Sequence, residues 1–350
     1  MAPPATELAV GPRVSLVRIA LVCPYDLRVP GGVQGQVTTL ADRLAARGHE
    51  VRVLGPGRGI EASVVGWHTN DSVAPIALAP SAWRQASRAG DGVDVVHVHE
   101  PFMPSVGLGA LGASAPVVAT FHADPPPRTR RLYRTFGPLW RRRLGAAIPT
   151  AVSRVAAEGV ALAGVATRIV PNGVAVPSDV RSPEHRSRTV CFLGRDEWRK
   201  GLDDLLVAWD AMRPDGWELV VAGARRPDRP GVRFLGRISE AHKASLLGEA
   251  AVLCAPNRRG ESFGLVVAEG LAHGCAVVAA DLPAFRAVAG DAAVFAPPGR
   301  SDALGEALAE VCGDADRRAE LVSRGRAVVR RFDWDAVVDG YEAAYEDAVA

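Results

Sequence analysis

The fold is decided by residues 17–54, VRIALVCPYDLRVPGGVQGQVTTLADRLAARGHEVRVL. The nearly continuous apolar run at the start of this stretch predicts a buried strand over Val17–Cys23. Apolar side chains then recur at helical spacing, and Gly48 ends a helix predicted over Val33–Arg47. Val51–Leu54 predicts the next strand. Strand, glycine-containing loop, helix and strand in this order are typical of a parallel sheet with helices on its faces.

The same unit recurs along the whole chain. Further apolar segments in the first half lie at 93–98, 117–121, 148–152 and 168–170. Val176–Arg188 then brings two prolines and mixed charge, which predicts a linker. The alternation restarts at Thr189–Leu193 and continues to Ala276–Ala279. This pattern favours two doubly wound α/β halves, each with a parallel sheet buried on both faces.

Length and pattern together predict two Rossmann-like domains that face each other across a cleft, because sheets of this kind bind ligands at the carboxyl ends of their strands. The predicted domains span 17–176 and 189–333, with a linker at 177–188. A final helix at 334–348 is expected to cross back and pack on the first domain. Residues 1–16 lack a basic start and a continuous apolar core, so we expect a disordered extension and no secretory signal.

Bulk composition excludes several classes of protein. The net charge of +2 over 350 residues does not suggest a nucleic-acid-binding protein. No apolar run approaches the roughly 18 residues that a membrane-spanning helix needs. The five cysteines are scattered without metal-ligand spacing, which predicts reduced thiols in a cytosolic protein.

A pair of carboxylates marks the first candidate site, in the segment ESFGLVVAE at residues 261–269. Glu261 and Glu269 flank a loop-to-helix junction at Gly264, and the start of a helix is a natural seat for a diphosphate. Two acids beside such a seat would repel an anion unless they bind hydroxyls on either side of it. A sugar nucleotide meets that requirement, and the alternative is a surface Glu with a Glu paired elsewhere.

A basic loop follows the first strand of the second half. Arg195, Arg199 and Lys200 bring up to three cations to the predicted cleft. Cations at this position would stabilise the charge that develops on a departing nucleoside diphosphate. The alternative is a solvated basic turn.

Other motifs lie at predicted strand ends in the first half. Gly31 and Gly32 precede a helix, where backbone N–H groups can approach a phosphate without a Cβ clash, although an ordinary turn is equally compatible. His122 ends a strand and could contact a sugar hydroxyl, accept a proton or simply cap the strand. Gly107–Gly112 matches G-x-G-x-x-G, but it lies within a predicted helix and does not directly follow a strand, so we assign it to packing.

Taken together, these residues resemble the GT-B glycosyltransferases of family 4, a retaining group that uses sugar nucleotides. The resemblance covers roughly residues 17–348. It rests on the glycine pair at 31–32, Arg195 with Lys200, the turn Pro171–Val174, and Glu261 with Glu269. Within the family, the chain is similar to the phosphatidylinositol mannosyltransferases of actinobacteria. The segments that carry this second similarity are 22–26, 29–34, 97–101, 119–122, 254–256 and 260–264.

The resemblance implies a role for each matching position. Glu261 would bind the transferred sugar, Glu269 the ribose, and His122 the sugar near the reacting carbon. The implied catalytic set is His122, Arg195, Lys200 and Glu261. The implied donor-binding set is Gly31, Gly32, Arg195, Arg199, Lys200, Glu261, Ser262, Phe263, Gly264 and Glu269, while Tyr25 and Gln34 would lie toward the acceptor. Retention implies attack from the front face, with the leaving phosphate helping to accept the proton, so no dedicated nucleophile, cofactor or essential metal is expected.

A basic segment with interleaved aromatics suggests contact with an anionic membrane. The expected membrane residues are Arg128, Arg130, Arg131, Arg134, Trp140, Arg141, Arg142 and Arg143. A solvated basic face is the alternative, and no motif supports nucleic-acid binding by this segment.

The resulting hypothesis is transfer of mannose from GDP-mannose to a phosphatidylinositol-type lipid at the inner face of the plasma membrane. The main alternative is a family-4 enzyme with another sugar nucleotide and a soluble or different lipid acceptor. Ala123 and Asp124 favour that alternative, because hydroxyl residues follow the histidine in the lipid enzymes. A sugar-nucleotide epimerase and a non-catalytic binder of anionic surfaces are the remaining alternatives.

Overall fold

The computed structural model describes residues 16–69 and 72–350. The predicted extension at 1–16 therefore lies outside the described residues, apart from Leu16. The strands of the first half are β1 Arg18–Val22, β2 Glu50–Pro56, β3 Gly59–Ile60, β4 Val64–Thr69, β5 Ser72–Ala77, β6 Val95–His99, β7 Val117–Phe121, β8 Ile148–Ala151 and β9 Arg168–Ile169. Its helices are α1 Gly32–Ala46, α2 Pro80–Ser87, α3 Val106–Ala110, α4 Pro127–Thr135, α5 Gly137–Leu144 and α6 Arg154–Ala161.

Seven strands of the first half form one parallel sheet in the order β3-β2-β1-β6-β7-β8-β9. The chain winds outward in both directions from β1, so the strand order reverses between β1 and β6. All side chains of β6 and β7 are buried, because helices cover both faces of the sheet. Polar groups that follow β1, β6 and β7 therefore gather at one edge, at the switch point where ligands of such sheets bind.

The second half repeats this arrangement. Its strands are β10 Ser187–Leu193, β11 Glu218–Ala222, β12 Val232–Gly236, β13 Ala250–Ala255, β14 Ala276–Ala280 and β15 Ala293–Ala296, in the parallel order β12-β11-β10-β13-β14-β15. Its helices are α7 Leu202–Met212, α8 Glu240–Glu249, α9 Leu265–Ala272, α10 Pro283–Ala289, α11 Ser301–Gly313, α12 Ala315–Val329 and α13 Trp334–Val349. Short 3-10 turns lie at Pro183–His185, Trp198–Lys200 and Arg330–Phe332. The switch point here lies between β10 and β13.

The last helix, α13, packs on the first sheet and not on the second. Its apolar face shares a buried cluster with β1, and the cluster includes Ile19, Leu21, Trp334, Val338 and Tyr345. The prediction of a helix that crosses back to the first domain is confirmed, and with it the two-domain doubly wound fold. The chain therefore passes from the first half to the second and returns.

The β4–β5 hairpin is an element that the sequence analysis did not predict. Its strands pair antiparallel and stand apart from the main sheet. Val65 and Val73 are largely exposed, so these strands lack the continuous burial that makes a parallel strand readable in a sequence. The hairpin is joined to the loop after β1, where Asp26 N donates to Pro75 O at 2.9 Å.

The five cysteines are all buried and free of disulfide bonds. In the part of the chain that the structure describes, no helix combines the length and the apolar character needed to cross a bilayer. The glycine-rich match at 107–112 begins on α3 and ends in the turn after it, and its first two glycines serve packing, as predicted. A Cβ on Gly107 would come within 2.6 Å of Glu100 O, and one on Gly109 within 2.7 Å of Trp83 O.

Candidate active site

The loop after β13 joins the two halves of the molecule at the carboxyl ends of their sheets. Ser262 Oγ accepts a hydrogen bond from Asp124 N at 2.6 Å, and Ser262 O accepts one from Ser153 Oγ. Asp124 and Ser153 both belong to the first half, so the predicted donor loop touches the predicted acceptor half directly. The loop that carries Glu261 is thereby held against the segment that carries His122.

Glycine and aromatic side chains fix the shape of this loop. Gly264 caps α9 with a left-handed φ of 98°, and a Cβ there would come within 2.7 Å of Phe285. Phe263 is buried and meets the Phe332 ring edge-on, with 5.3 Å between the ring centroids. Phe263 therefore anchors the loop, and Ser262 and Glu261 remain for contacts in the cleft.

Glu261 is the centre of a cluster of polar donors. Its Oε1 accepts from Lys200 Nζ at 2.5 Å, from Asn257 Nδ2 at 2.7 Å and from Arg199 Nη1 at 3.4 Å. The side chains of Glu261 and Lys200 are only 12% and 17% exposed. Water therefore screens this charge pair weakly, and its orientation is held by several bonds at once. Asn257 is a member of the site that the sequence analysis missed.

A second carboxylate, Glu197, orders the basic loop. Glu197 Oε1 lies 2.9 Å from Arg195 Nη1, and Glu197 Oε2 accepts from Arg199 Nε at 2.9 Å. Gly201 ends the loop with φ 70° and lets α7 begin. Arg199 is nearly buried whereas the Arg195 side chain is 60% exposed, so Arg195 is the cation that a ligand can reach most easily.

Glu269 lies on α9 and is not part of the Glu261 cluster. Its Oε1 accepts from Lys243 Nζ at 2.6 Å, and the same ammonium lies 2.7 Å from Glu240 Oε2. Burial raises the pKa of the Glu269 carboxyl, and the Lys243 charge opposes that rise. The two predicted hydroxyl-binding carboxylates thus occupy separate polar sites.

On the first half, the glycine pair opens α1 as predicted. Gly31 is extended, Gly32 starts the helix, and a Cβ on Gly32 would meet no atom within 4 Å. The first turn of α1 carries no acidic residue, which suits an approaching phosphate. Tyr25 and Gln34 are both buried next to this loop, and Gln34 Nε2 donates to Asp26 O at 3.4 Å.

His122 lies in a buried polar network and is only 8% exposed. Its Nε2 lies 2.8 Å from His99 Nδ1, and the Asn172 side chain also hydrogen-bonds the ring. Burial lowers the pKa of His122 to about 4, so the ring is neutral at pH 7, and the Asn172 bond only partly offsets this shift. The turn at 171–174 is held by Gln36, whose side-chain amide makes two bonds to the Gly173 backbone, each 2.8 Å long.

The network continues inward to the crossing helix. His97 Nδ1 lies 2.8 Å from Tyr345 Oη, and His97 Nε2 lies 2.6 Å from Thr120 Oγ1. The His97 and His99 rings stack with 4.1 Å between centroids. Burial lowers the pKa of His97 to about 3, so the His97 ring is also neutral at pH 7. The sequence analysis gave a role in the site to His122 alone and cited 97–101 only as a segment of similarity, although two histidines with a period of two in one buried strand are a readable signal.

The predicted membrane segment forms α4 and α5, and its members divide into two groups. Arg130 turns inward to Asp124 Oδ1, at 2.5 Å, and Trp140 packs against Phe102 with 4.7 Å between ring centroids. Arg141 Nη1 donates to Ala163 O, and Arg143 lies 5.4 Å from the Trp83 ring. Arg141 and Arg143 nevertheless remain exposed, and the other basic residues are exposed beside exposed apolar ones. We call this set the basic-apolar surface, and its residues are Arg128, Arg131, Leu132, Arg134, Phe136, Leu139 and Arg142.

Two aspartates near the end of the second half, Asp314 and Asp333, have structural roles. Asp314 Oδ1 caps α12 by accepting from Arg317 N, and Asp333 Oδ1 caps α13 by accepting from Asp335 N. Across residues 16–69 and 72–350, no group of three or more His, Cys, Asp or Glu side chains is placed to hold a metal ion.

Comparison with known proteins gives consistent matches over both halves. The family model described as "Glycosyltransferase Family 4" matches residues 30–176, and the one described as "Glycosyl transferases group 1" matches 187–314. The chain is 37% identical to the phosphatidyl-myo-inositol mannosyltransferase of Mycobacterium leprae, over 94% of this chain and 96% of that one. It is 38% identical to the enzyme of the same name from Mycolicibacterium smegmatis, over 94% of each chain.

Solved structures agree on the architecture. A glycosyltransferase from Rickettsia africae superimposes with a TM-score of 0.74 at 16% identity, over 96% of this chain and 99% of that one. Anabaena HepE in complex with UDP and glucose superimposes with a TM-score of 0.72 at 18% identity, over 95% of this chain and all of that one. At this level of identity the likeness concerns the fold.

Proposed function

Since the chain belongs to glycosyltransferase family 4 and is a hexosyltransferase of the GT-B fold, we propose that it transfers mannose from GDP-mannose to a phosphatidylinositol-type lipid with retention of configuration. The observation that best supports this proposal is the Glu261 cluster at the contact between the halves. Its carboxylate would bind sugar hydroxyls, and the neighbouring cations would bind a diphosphate. The choice of sugar and lipid is supported by the names of relatives that align over nearly the whole chain.

The donor would lie with its diphosphate between the basic loop and the start of α1. Arg195 and Lys200 would stabilise the charge that develops on the leaving diphosphate. Arg199, tied to both Glu197 and Glu261, would act mainly by orienting that loop. Glu269 would accept from the ribose hydroxyls, and Lys243 would keep this carboxylate in place. The cations supply the charge neutralisation, so the proposal includes no essential metal.

The acceptor hydroxyl would attack from the face that the nucleotide leaves. A leaving phosphate oxygen would take the hydroxyl proton, so no protein nucleophile is required. His122 would act as a neutral hydrogen-bonding group near the reacting carbon, because burial keeps its pKa at about 4. The Asn172 and His99 bonds would fix the orientation of the ring. Tyr25 and Gln34 would shape the acceptor side of the cleft.

The basic-apolar surface would bring the enzyme to its lipid acceptor. Each Lys or Arg near an anionic leaflet contributes about 1 kcal/mol, and the four arginines of this surface would supply several kcal/mol at low salt. Leu132, Phe136 and Leu139, each more than 40% exposed, would insert between headgroups. We therefore propose peripheral binding to the inner face of the plasma membrane.

The decisive test is incubation with GDP-mannose, with and without phosphatidylinositol vesicles, followed by mass spectrometry of the lipid. A mannosylated lipid that forms only when vesicles are present supports GDP-mannose as the donor and phosphatidylinositol as the acceptor. Formation of the same product in the presence of EDTA supports a reaction without an essential metal. Transfer only to a soluble acceptor, or only from another sugar nucleotide, would support the main alternative. Conversion of the donor without any acceptor would support an epimerase.

The membrane step needs a separate test with a matched control. Arg128→Glu with Arg131→Glu should abolish co-sedimentation with phosphatidylinositol vesicles while leaving nucleotide binding intact. Arg188→Glu with Arg213→Glu makes the same charge change on the second half and should leave sedimentation unaltered. Equal loss in both double variants would show that total charge, and not this surface, governs binding.

A further inference from the structure

Glu100 is a buried carboxylate that the reaction scheme above leaves unused. It follows β6 directly, at the switch point of the first sheet, and is 9% exposed. Its Oε1 accepts from His122 N at 2.8 Å and from Ala123 N at 2.6 Å. The carboxylate therefore binds the backbone of the segment that carries His122 into the site.

No cation in the described part of the chain forms an ion pair with Glu100. The groups that face it from neighbouring elements are Cys23 and Tyr25 after β1, and Tyr133 on α4, all of them neutral at pH 7. Burying a carboxylate among neutral groups is costly. Both N–H groups donate to the same oxygen, Oε1, and the oxygen of a neutral side-chain amide could accept both bonds at a lower desolvation cost. Stability alone gives little reason for an acid at this position.

The backbone at Glu100 is also strained. Its φ is +50°, a left-handed conformation that only two other non-glycine residues share in the described chain, Ser105 and Arg213. Glu100 O accepts from Met103 N at 3.0 Å, and Gly107 has no side chain that would collide with that carbonyl. Contacts with Met103 and Gly107 therefore hold the turn that directs the Glu100 carboxylate toward residues 122–123.

The bound segment connects both halves of the active site. Three consecutive amides, those of His122, Ala123 and Asp124, point to two acceptors. The first two donate to Glu100, and the third donates to Ser262 Oγ of the donor loop. Weaker bonds to Glu100 would therefore displace the His122 ring and, at the same time, weaken the contact between the two halves.

We propose that Glu100 is a positioning residue, whose negative charge holds residues 122–124 in the arrangement required for sugar transfer. This inference rests on the proposed function. We call the two bonds from the His122 and Ala123 amides to Glu100 the Glu100 clamp. An ionised carboxylate forms shorter and stronger bonds to amides than a protonated one does, so the clamp is tight only when Glu100 is charged. Displacements of about 1 Å near a reacting centre reduce rates by up to about 100-fold.

The protonation state of this clamp changes within the physiological range. Burial raises the pKa of the Glu100 carboxyl to about 7, and the two amide bonds only partly offset this shift. The clamp is thus tight above pH 7 and loose below it. The rate of transfer should rise with pH through the neutral region for this reason.

The test compares Glu100→Gln with the wild type and with Glu342→Gln. Glu342 is a suitable control because its carboxylate is equally buried, at 6% exposure, and bonds Arg47 and His49 far from the cleft. With GDP-mannose and phosphatidylinositol vesicles, Glu100→Gln should lower kcat between about 10- and 100-fold with little change in donor KM, and should remove the inflection near pH 7. Glu342→Gln should keep the wild-type kcat and the inflection near pH 7. Glu100→Asp keeps a charge, so it should retain the inflection at a reduced kcat, and it serves if the glutamine variant fails to fold.

A second measurement is independent of turnover. In amide NMR spectra of the wild type, the His122 and Ala123 resonances should titrate with a midpoint near pH 7, and in Glu100→Gln they should not. Wild-type kcat and an unchanged pH profile in Glu100→Gln would overturn the proposal, as would amide resonances that titrate alike in both proteins. If the wild type transfers no mannose, the proposed function fails by itself, and the NMR titration still decides whether the clamp exists.

Discussion

Replacing Glu261 by Gln should separate binding of the nucleotide from transfer of the sugar. In the structure, Glu261 Oε1 accepts from Lys200 Nζ at 2.5 Å, and Arg199 and Asn257 donate to the same oxygen. A diphosphate must compete with this carboxylate for Lys200. Glutamine has nearly the same shape but no charge, so it releases the ammonium for the phosphate while weakening the bond to the sugar.

The two effects have opposite signs and can be estimated. A hydrogen bond to a charged group contributes about 1.5–3 kcal/mol, and losing one that acts on the transferred sugar should lower kcat/KM about 10- to 100-fold. Release of Lys200 from a pair that is mostly buried should tighten GDP binding, by up to about tenfold, which corresponds to about 1.4 kcal/mol. The cost of desolvating the two charges cancels part of the attraction in a buried ion pair, so the gain in GDP binding stays below the full energy of the pair.

Isothermal titration with GDP, together with transfer assays, measures both quantities on one preparation. Lys200→Met is the informative companion, because it should weaken GDP binding and transfer together. GDP affinity that falls several-fold in Glu261→Gln, or transfer that stays at the wild-type rate, would refute the assignment of Glu261 to the sugar and Lys200 to the diphosphate.

Three further predictions concern stability and domain contact. His97 and His122 should each lower the unfolding free energy by up to about 3 kcal/mol as pH drops from 6.5 towards 4, because both are neutral in the fold with lowered pKa values and the unfolded chain binds protons first. The raised pKa of Glu100 acts in the opposite direction, so the urea titrations at pH 7.5 and 5.0 use Glu100→Gln, and equal unfolding free energies at the two pH values would disprove the prediction. Tyr345→Phe should cost about 1–3 kcal/mol, since it removes the 2.8 Å partner of a buried imidazole, and an unchanged urea midpoint would count against that bond. Ser262→Ala should increase the radius of gyration in X-ray scattering, because the Asp124 amide loses its acceptor across the cleft, whereas an identical scattering curve would mean that other contacts keep the halves closed.

Sequence patterns were most informative for elements buried on both faces. The strand predicted at Val117–Phe121 has the bounds of β7, and the helix predicted at Val33–Arg47 differs from α1 by one residue at each end. Both elements carry a strong apolar signal, because helices or sheet cover them. Half-exposed elements such as the β4–β5 hairpin carry no such signal.

For the site, the sequence predicted which loops matter but not how their side chains pair. That Lys200 would lie near Glu261 follows from the rule that strand ends gather at one edge. The bonds of His122 to His99 depend on the register of β6 against β7, in which His99 lies opposite Thr120, and register is not readable from one chain. Trp140 could have been placed in the core, since it lies four residues before Leu144 on the inner face of α5.

The return of the chain to the first domain affects the order in which the protein is built. Ile19 and Leu21 are translated early, yet their cluster is completed only by Tyr341 and Tyr345 of α13, the last sixteen-residue helix. The half that is made first is therefore completed only when α13 is made, although Val37, Leu40 and Leu44 of α1 can pack against Ile19 and Leu21 before then. A premature stop that removes α13 alone would damage the distant N-terminal half, while the core around Trp209 in the adjacent half would keep all its members.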